Sequence, residues 1–233
     1  MVSIGLPDSL RYERKFLISQ LDRHEVESIV RLHHAMFSET YPERFVNNIY
    51  FDDIRASSYF ESASGLGRRV KVRVRWYGDL FQYIAEPCLE LKTKYDLLGS
   101  KMRYPLKPFP LDRKYTREVQ QRVFAESGLP PLLTEELGAL SFAVTNRYRR
   151  KYFESADRNF RITIDWDVQF LRLDSTDNLF AQQSVDHEHT ILELKYSQEC
   201  DQEARQITNR FPFRMTKSSK YVAGMERLHS LVS

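Results

Sequence analysis

From Arg69 to Trp76 the chain reads R-V-K-V-R-V-R-W, a strict alternation in which Arg69, Lys71, Arg73 and Arg75 share one parity and Val70, Val72, Val74 and Trp76 the other. Successive side chains of an extended chain point to opposite faces, so this stretch is a strand with one cationic and one apolar side. A lone strand of this kind could turn its basic side to water. The arrangement recurs, however. Residues 88–94 set Glu90, Lys92 and Lys94 opposite Leu89 and Leu91, and residues 190–196 set Glu193 and Lys195 opposite Leu192, Leu194 and Tyr196. Residues 160–166 set Arg161, Thr163 and Asp165 opposite Ile162 and Ile164, and Glu13 and Lys15 share a parity within 11–18. The same period predicts further strands over 46–52 and 145–153.

Between the strands lie helical patterns. Asp22 is placed to cap a helix running to Phe37, with Val26, Ile29, Val30 and Met36 as its buried stripe. Asp112 is placed to cap a second, burying Val119, Val123 and Phe124; residues 200–209 (Ala204, Ile207) and 219–231 (Val222, Met225, Leu228) read as two more. Lys107 to Pro110 and the Pro130-Pro131 pair interrupt regular structure, and Ser62 to Gly67 reads as a flexible turn. None is long enough to separate a pair of domains, so one domain over 1–233 is expected, without internal repeats.

Composition narrows the function. The formal net charge is +3, with 35 basic against 32 acidic residues, so no global field calls for a nucleic acid or a membrane. Two cysteines, Cys88 and Cys200, make neither a disulfide framework nor a metal-ligand spacing. No apolar run approaches the roughly 18 to 20 residues that span a bilayer, and Asp8, Arg11 and Glu13 occupy the place of a signal-peptide core. The cytoplasm, including its membrane face, is the expected location, with room for docking to a membrane partner protein. His33-His34 and His187 with His189 lack a third metal ligand, and Gly65-Leu66-Gly67 lacks the lysine of a phosphate-binding loop.

Several strands with one charged face close most naturally into a barrel whose apolar exterior is covered by helices and whose charges point inward. Cations facing one another in a dry interior are unfavourable, so such a lumen is wet and holds an anion. A linear polyphosphate or a nucleoside triphosphate offers closely spaced oxygens that Arg grips bidentately and Lys holds as a point charge. The interspersed carboxylates then ask for a divalent cation, Mg²⁺ or Mn²⁺, with Glu193 as the first candidate ligand and Glu13 and Glu90 as helpers. A single-stranded nucleic-acid binder is the competing class, but it needs aromatics on the basic face, whereas Trp76 and Tyr196 fall on the apolar one.

Taken in order, R-Y-E-R-K-F (11–16), I-Y-F-D (49–52), V-R-V-R-W-Y-G (72–78), L-E-L-K-T-K (89–94), N-R-Y (146–148), R-I-T-I-D (161–165), L-E-L-K (192–195) and K-S-S-K-Y (217–221) resemble the VTC domain. This is the polyphosphate polymerase module of the vacuolar transporter chaperone complex, within the triphosphate tunnel metalloenzyme superfamily. The resemblance implies an α+β fold built on an antiparallel eight-stranded β-barrel, a tunnel with helices packed outside. It implies transfer of the terminal phosphoryl of ATP to a growing polyphosphate chain, with pyrophosphate, triphosphate and polyphosphate as partners. An inorganic or nucleoside triphosphatase and a non-catalytic polyphosphate-binding module are the alternatives within the fold. Carried over by position, the resemblance implies that Arg73, Arg75, Lys92, Arg147, Arg161 and Glu193 carry catalysis. The same resemblance implies phosphate binding by Lys15, Tyr148, Lys217, Ser219 and Lys220, joined by Lys71, Lys94 and Lys195 from the charged strand faces, with Ser219 also placed to cap the last helix. Position 11, where the wider superfamily's Glu-x-Glu-x-Lys signature has a carboxylate, is arginine, which agrees better with the polymerase branch than with cyclases or thiamine triphosphatases.

Overall fold

Every segment expected to be a strand is one. In the computed structural model, which describes residues 11–95, 98–173 and 183–229, the chain begins β1 (Arg11–Ile18), α1 (Arg23–Arg31), β2 (Ser38–Asp52), α2 (Ser57–Ser64), β3 (Arg68–Tyr77), β4 (Tyr83–Ile84), β5 (Cys88–Tyr95), β6 (Leu98–Pro105) and β7 (Phe109–Pro110). It continues α3 (Arg117–Glu126), α4 (Pro131–Gly138), β8 (Ser141–Glu154), β9 (Arg161–Leu171), β10 (Gln183–Asp186), β11 (Thr190–Ser197), α5 (Asp201–Thr208) and α6 (Lys220–His229). No described helix is long and apolar enough to cross a membrane.

One sheet runs in the order β10-β9-β11-β1-β6-β5-β3-β2-β8, and β8 pairs back onto β9. An antiparallel ring of eight strands results, with β10 appended beside β9. Its thinnest seam is β1 against β6, joined only at Arg11↔Gly99 and Tyr12↔Leu98. Past that point the free edge of β1 is covered by the segment before α6: Thr216 N donates to Lys15 O at 2.8 Å, and Leu17 N donates to Thr216 Oγ1 at 2.8 Å. Covering a strand edge removes a template for aberrant pairing.

The apolar parities form two outer cores. Ile49, Val72, Val74, Trp76 and Leu89 are sealed by Phe124 of α3 and Leu133 and Leu137 of α4. Phe16, Ile162, Ile164, Leu192 and Leu194 are sealed by Val26 and Val30 of α1 and Ala204 and Ile207 of α5. A third cluster lies on the opposite, inner parity: Val46, Tyr50, Val144, Tyr148, Val168, Phe170 and Ile191 surround Tyr221, Met225 and Leu228 of α6. Helix α6 therefore enters one end of the ring as a plug. A bulge makes this possible. Asp167 takes a positive φ of 49°, and the β8–β9 register shifts between Arg147 and Arg149. The extra residue switches the inner parity of β9 from Arg161, Thr163 and Asp165 to Val168 and Phe170, so a charged wall gives way to an apolar one where the helix lodges.

Several local readings are corrected. Helix α1 has the Asp22 capping box, with Asp22 accepting from His24 N and Glu25 N, but it stops at Arg31. Met36 then turns out at φ 52° and is 68% exposed, not part of a buried stripe. Thr116, not Asp112, caps α3; Asp112 accepts from Lys114 N in the preceding turn. Ser62 to Ser64 are the last turn of α2, closed by Gly65 at φ 75°, a backbone shape that glycine adopts without strain. Pro131 opens α4 as its first residue, where a missing N–H costs nothing. Strand β6 is not evident from the alternation, and Leu231, read as the end of the last helix, lies outside the described residues.

Candidate functional site

Because the outer cores claim one parity of each strand, the other parity faces the interior, and ion pairs that reach across the ring show it. Glu90 of β5 accepts from Arg73 Nε at 2.8 Å, lies 3.6 Å from Arg75 Nη1, and on its other oxygen meets Lys101 Nζ at 2.9 Å and Arg103 Nε at 3.3 Å. Glu13 of β1 is 3.0 Å from Lys92 Nζ, reaching past β6, and 3.7 and 3.8 Å from Lys15 and Lys195. Glu193 of β11 contacts Lys15 at 2.9 Å, Lys195 at 3.0 Å and Arg150 at 3.5 Å. Asp165, fully buried, is gripped through both oxygens by Arg150 at 2.5 and 2.6 Å and by Lys220 Nζ at 2.5 Å.

The plug helix delivers its first turn into this network. Lys71 Nζ donates to Ser219 Oγ at 2.8 Å and stands 5.5 Å from the Tyr221 ring; Lys220 Nζ stands 4.6 Å from the Tyr148 ring. Ser219 Oγ also accepts from Val222 N at 3.4 Å, so it caps α6 while meeting the inward Lys71. Tyr221 OH donates to Asp52, whose carboxylate also accepts from Ser58 N and Tyr59 N, which ties the plug to the start of α2. On the inner face Arg75 Nε donates to Asn48 Oδ1 at 2.8 Å, and Asn48 Nδ2 donates to Asn146 Oδ1 at 2.8 Å. Asn146 Nδ2 and Thr163 Oγ1 are then buried with no partner among the described residues, and orphaned polar atoms on such a wall call for water or ligand oxygens.

The cations outnumber the carboxylates, and their protonation shows the strain. Burial, reinforced by Lys15, Lys92, Arg69 and Arg73, pushes Lys71 down to about 6. Glu13 supports the charge of Lys92, but burial and the lysines around it still lower it to about 8. Burial likewise brings Lys101 down to about 8 despite Glu90. For Glu13, burial acts upward, but Lys15 and Lys92 outweigh it and hold the carboxyl at about 2. Lys71, Lys94 and Lys217 have no ion-pair partner among the described residues, and Lys94 is depressed by burial and by Arg69, Lys15 and Lys217.

Of the expected residues, Lys15, Lys71, Arg73, Arg75, Lys92, Lys94, Tyr148, Lys195, Ser219 and Lys220, with Glu13, Glu90 and Glu193, share the interior, and Lys217 Nζ lies beside Gly65 at its edge. Arg147 does not: it is on the outer parity of β8, 3.7 Å from the Phe45 ring centroid and 3.7 Å from Asp79. Counting in twos from inward Tyr148 reaches Arg150, which occupies the interior in its stead. Arg161 keeps the inner parity but opens β9 at the rim, where its side chain is 59% exposed and pairs with Glu154. Lys101 and Arg103 escape a reading of the sequence together with β6, although Lys101-Met102-Arg103-Tyr104 repeats the cation–apolar alternation. Trp76 and Tyr196 are buried in the outer cores.

Among the described residues no three His, Cys, Asp or Glu side chains converge as a metal site. Glu90 is enclosed by Arg73, Arg75, Lys101 and Arg103, which meet both its oxygens as counter-ions. Glu13 and Glu193, each also flanked by three cations, share Lys15 and Lys195 as neighbours, and a pair of carboxylates suits a divalent cation that takes its remaining oxygens from phosphates. A cavity of about 240 Å³ abuts the first turn of α6, lined by Leu17, Val168, Ile191, Ser218, Lys220 and Arg227. A second, about 500 Å³, lies beside Asp52, Arg117 and Leu228, away from the inward lysines.

Solved structures share this fold at low sequence identity. HpAC1 from Hippeastrum, assigned as an adenylyl cyclase and described as having a dominant triphosphatase activity, superposes with a TM-score of 0.54 at 11% identity, over 93% of this chain and 95% of its own. A conserved hypothetical protein of Pyrococcus furiosus gives 0.52 at 10% identity, over 91% and 98%. An adenylate cyclase assignment from Bacillus halodurans gives 0.51 at 13% identity, over 91% and 94%. The common fold is the triphosphate tunnel fold. No curated protein matches the chain. The VTC domain family matches residues 10–229, nearly the whole chain, and the protein belongs to that family.

Proposed function

We propose that this protein is an ATP-dependent polyphosphate polymerase. The observation that carries the reading is the convergence of Lys15, Lys71, Arg73, Arg75, Lys92, Arg150, Lys195 and Lys220, from separate strands and the plug helix, on one interior with too few carboxylates to neutralise them. A triphosphate supplies the missing charge. The terminal oxygen of an acceptor chain attacks the γ-phosphorus, the bond to the β-phosphate oxygen breaks, and ADP leaves with that electron pair. Such transfers depend on positioning and on stabilising charge spread over the phosphoryl oxygens, so no covalent nucleophile is required. Arg73, Arg75 and Arg150 provide bidentate donors, Lys15, Lys195 and Lys220 point charges, and Ser219 a hydroxyl beside Lys71. Glu13 and Glu193 would hold Mg²⁺ or Mn²⁺, which would neutralise phosphate oxygens.

A triphosphatase differs only in the acceptor, water replacing the chain end; the triphosphatase activity of the similarly folded Hippeastrum protein keeps this second reading in view. Purified protein given ATP, Mn²⁺ and a pyrophosphate primer should yield long polyphosphate, and release of free phosphate alone would replace the polymerase with the triphosphatase. Glu193→Gln and Arg73→Ala should each abolish turnover. Full activity in either would refute the assignment of this interior.

A further inference from the structure

The inner rows do not end in charge. One step beyond Arg75 on β3 is Tyr77, one step beyond Arg150 on β8 is Tyr152, and β2 brings Arg44 and Tyr41 alongside. The Arg44 guanidinium lies 4.2 Å from the centroid of Tyr77, 4.7 Å from that of Tyr152 and 5.3 Å from that of Tyr41, and its Nε donates to Tyr152 OH at 3.3 Å. Tyr41 and Tyr152 meet edge to face at 5.6 Å. No carboxylate pairs with Arg44 among the described residues; the tyrosine rings and the Tyr152 hydroxyl hold this cation. The stack is open on its outer side, with Tyr77 44% and Tyr41 56% exposed. It stands at the end of the ring opposite the plug.

We propose that the Arg44, Tyr77, Tyr152 and Tyr41 clasp is a nucleobase-stacking site, which makes a nucleoside triphosphate a better occupant of the chamber than an inorganic triphosphate. Two residues of strand advance roughly 7 Å at about 3.3 Å per residue, so a nucleotide whose phosphates run inward from Arg75 and Arg150 carries its base to the level of Tyr77 and Tyr152. Bases stack on tyrosine rings and guanidinium planes alike, without regard to base identity. The clasp thus selects for a base but not among purines. This assignment rests on the proposed chamber function.

The test compares ATP, GTP and tripolyphosphate binding to the full chain by calorimetry, and the quenching of a fluorescent purine nucleoside triphosphate. Tyr77→Ala should weaken ATP and GTP about tenfold, a typical worth of one base–aromatic stack, hold tripolyphosphate within about twofold, and abolish quenching. Tyr77→Phe should restore both. Unchanged ATP affinity in Tyr77→Ala overturns the base site, as does an equal loss for ATP and tripolyphosphate, which would mark the clasp as a tie between strand ends. If the wild-type protein binds tripolyphosphate as tightly as ATP, the base site falls while the chamber stands. If it binds neither, both fall.

Discussion

Gly224 lies midway along α6, where the plug meets the barrel wall. A Cβ built there would be 2.6 Å from Phe170 Cδ1, 3.0 Å from Phe170 Cε1 and 2.8 Å from Val144 Cγ2. Carbon atoms pack at about 3.5–4.0 Å, so Gly224→Ala demands a movement of about 1 Å. Phe170 and Val144 are buried on strands of the closed ring, and the helix, tied down by fewer bonds, is the element that yields. Overpacking of this kind costs about 1–3 kcal/mol, while alanine recovers about 1 kcal/mol of helix propensity. The net loss is about 0–2 kcal/mol, no more than about 8 °C in Tm for a chain of this size. Function is hit harder. The same helix carries Ser219 and Lys220, whose contacts to Lys71 and Asp165 are 2.8 and 2.5 Å, and a displacement of about 1 Å at a reacting centre can cost about 100-fold in turnover. Thermal unfolding, tripolyphosphate calorimetry and turnover should be measured for Gly224→Ala beside Gly138→Ala, where an added Cβ meets nothing within 4 Å. Gly138→Ala should match the wild type throughout; Gly224→Ala should lose tripolyphosphate affinity at least tenfold. Wild-type affinity in Gly224→Ala would refute the claim that the seating of α6 positions Ser219 and Lys220.

Two further outcomes follow from the same electrostatics. Lys71 near 6, and Lys92 and Lys101 near 8, are largely neutral at about pH 8.5 in the free protein, and a bound anion draws them back to ammonium. Tripolyphosphate binding should then take up protons and weaken as pH climbs from about 6 to 9; calorimetry in buffers of different ionisation heat reads the uptake, and zero net exchange contradicts it. Glu90→Gln leaves Arg73, Arg75, Lys101 and Arg103 without their shared counter-charge, which should destabilise the free protein by about 3 kcal/mol and enlarge the rise in Tm that tripolyphosphate produces. Wild-type stability of this variant in anion-free buffer would show that Glu90 does not hold those cations.

The inner wall is legible in sequence because strand parity is local: Arg69 to Trp76 or Leu192 to Lys195 declare their faces without reference to neighbours. What parity cannot carry across is a bulge. Nothing in Ile164-Asp165-Trp166-Asp167-Val168 announces the positive φ at Asp167, yet that residue turns the inner wall from charged to apolar and makes room for α6. Arg147 fails for a related reason: N-R-Y reads as a unit, whereas alternation from Tyr148 points to Arg150. Strand β6 hides because Gly99 and Ser100 dilute its alternation and only Lys101 to Tyr104 keep it. The plug itself is beyond reach, since amphipathic Val222, Met225 and Leu228 fit an outer groove as well as an inner one, and only Gly224, by its lack of a side chain, hints at a tight enclosure.

The interior also explains why a chain of phosphates would suit it better than one. In the free protein the cations near the rim and middle of the ring already share Glu13, Glu90, Asp165 and Glu193 as ion-pair partners, so a single phosphate there competes with a carboxylate and gains less. Lys71, Lys94 and Lys217 have no carboxylate among the described residues, and burial depresses the basicity of Lys71 and Lys94. An anion gains most at these three, which stand toward the plug end of the ring, from half-buried Lys71 beside Ser219 to exposed Lys217 at the edge. Only a linear polyanion can keep one end among the paired arginines and still reach them. The free energy for binding a chain therefore comes chiefly from the lysines that have no carboxylate among the described residues, supplied by β3, β5 and the K-S-S-K turn.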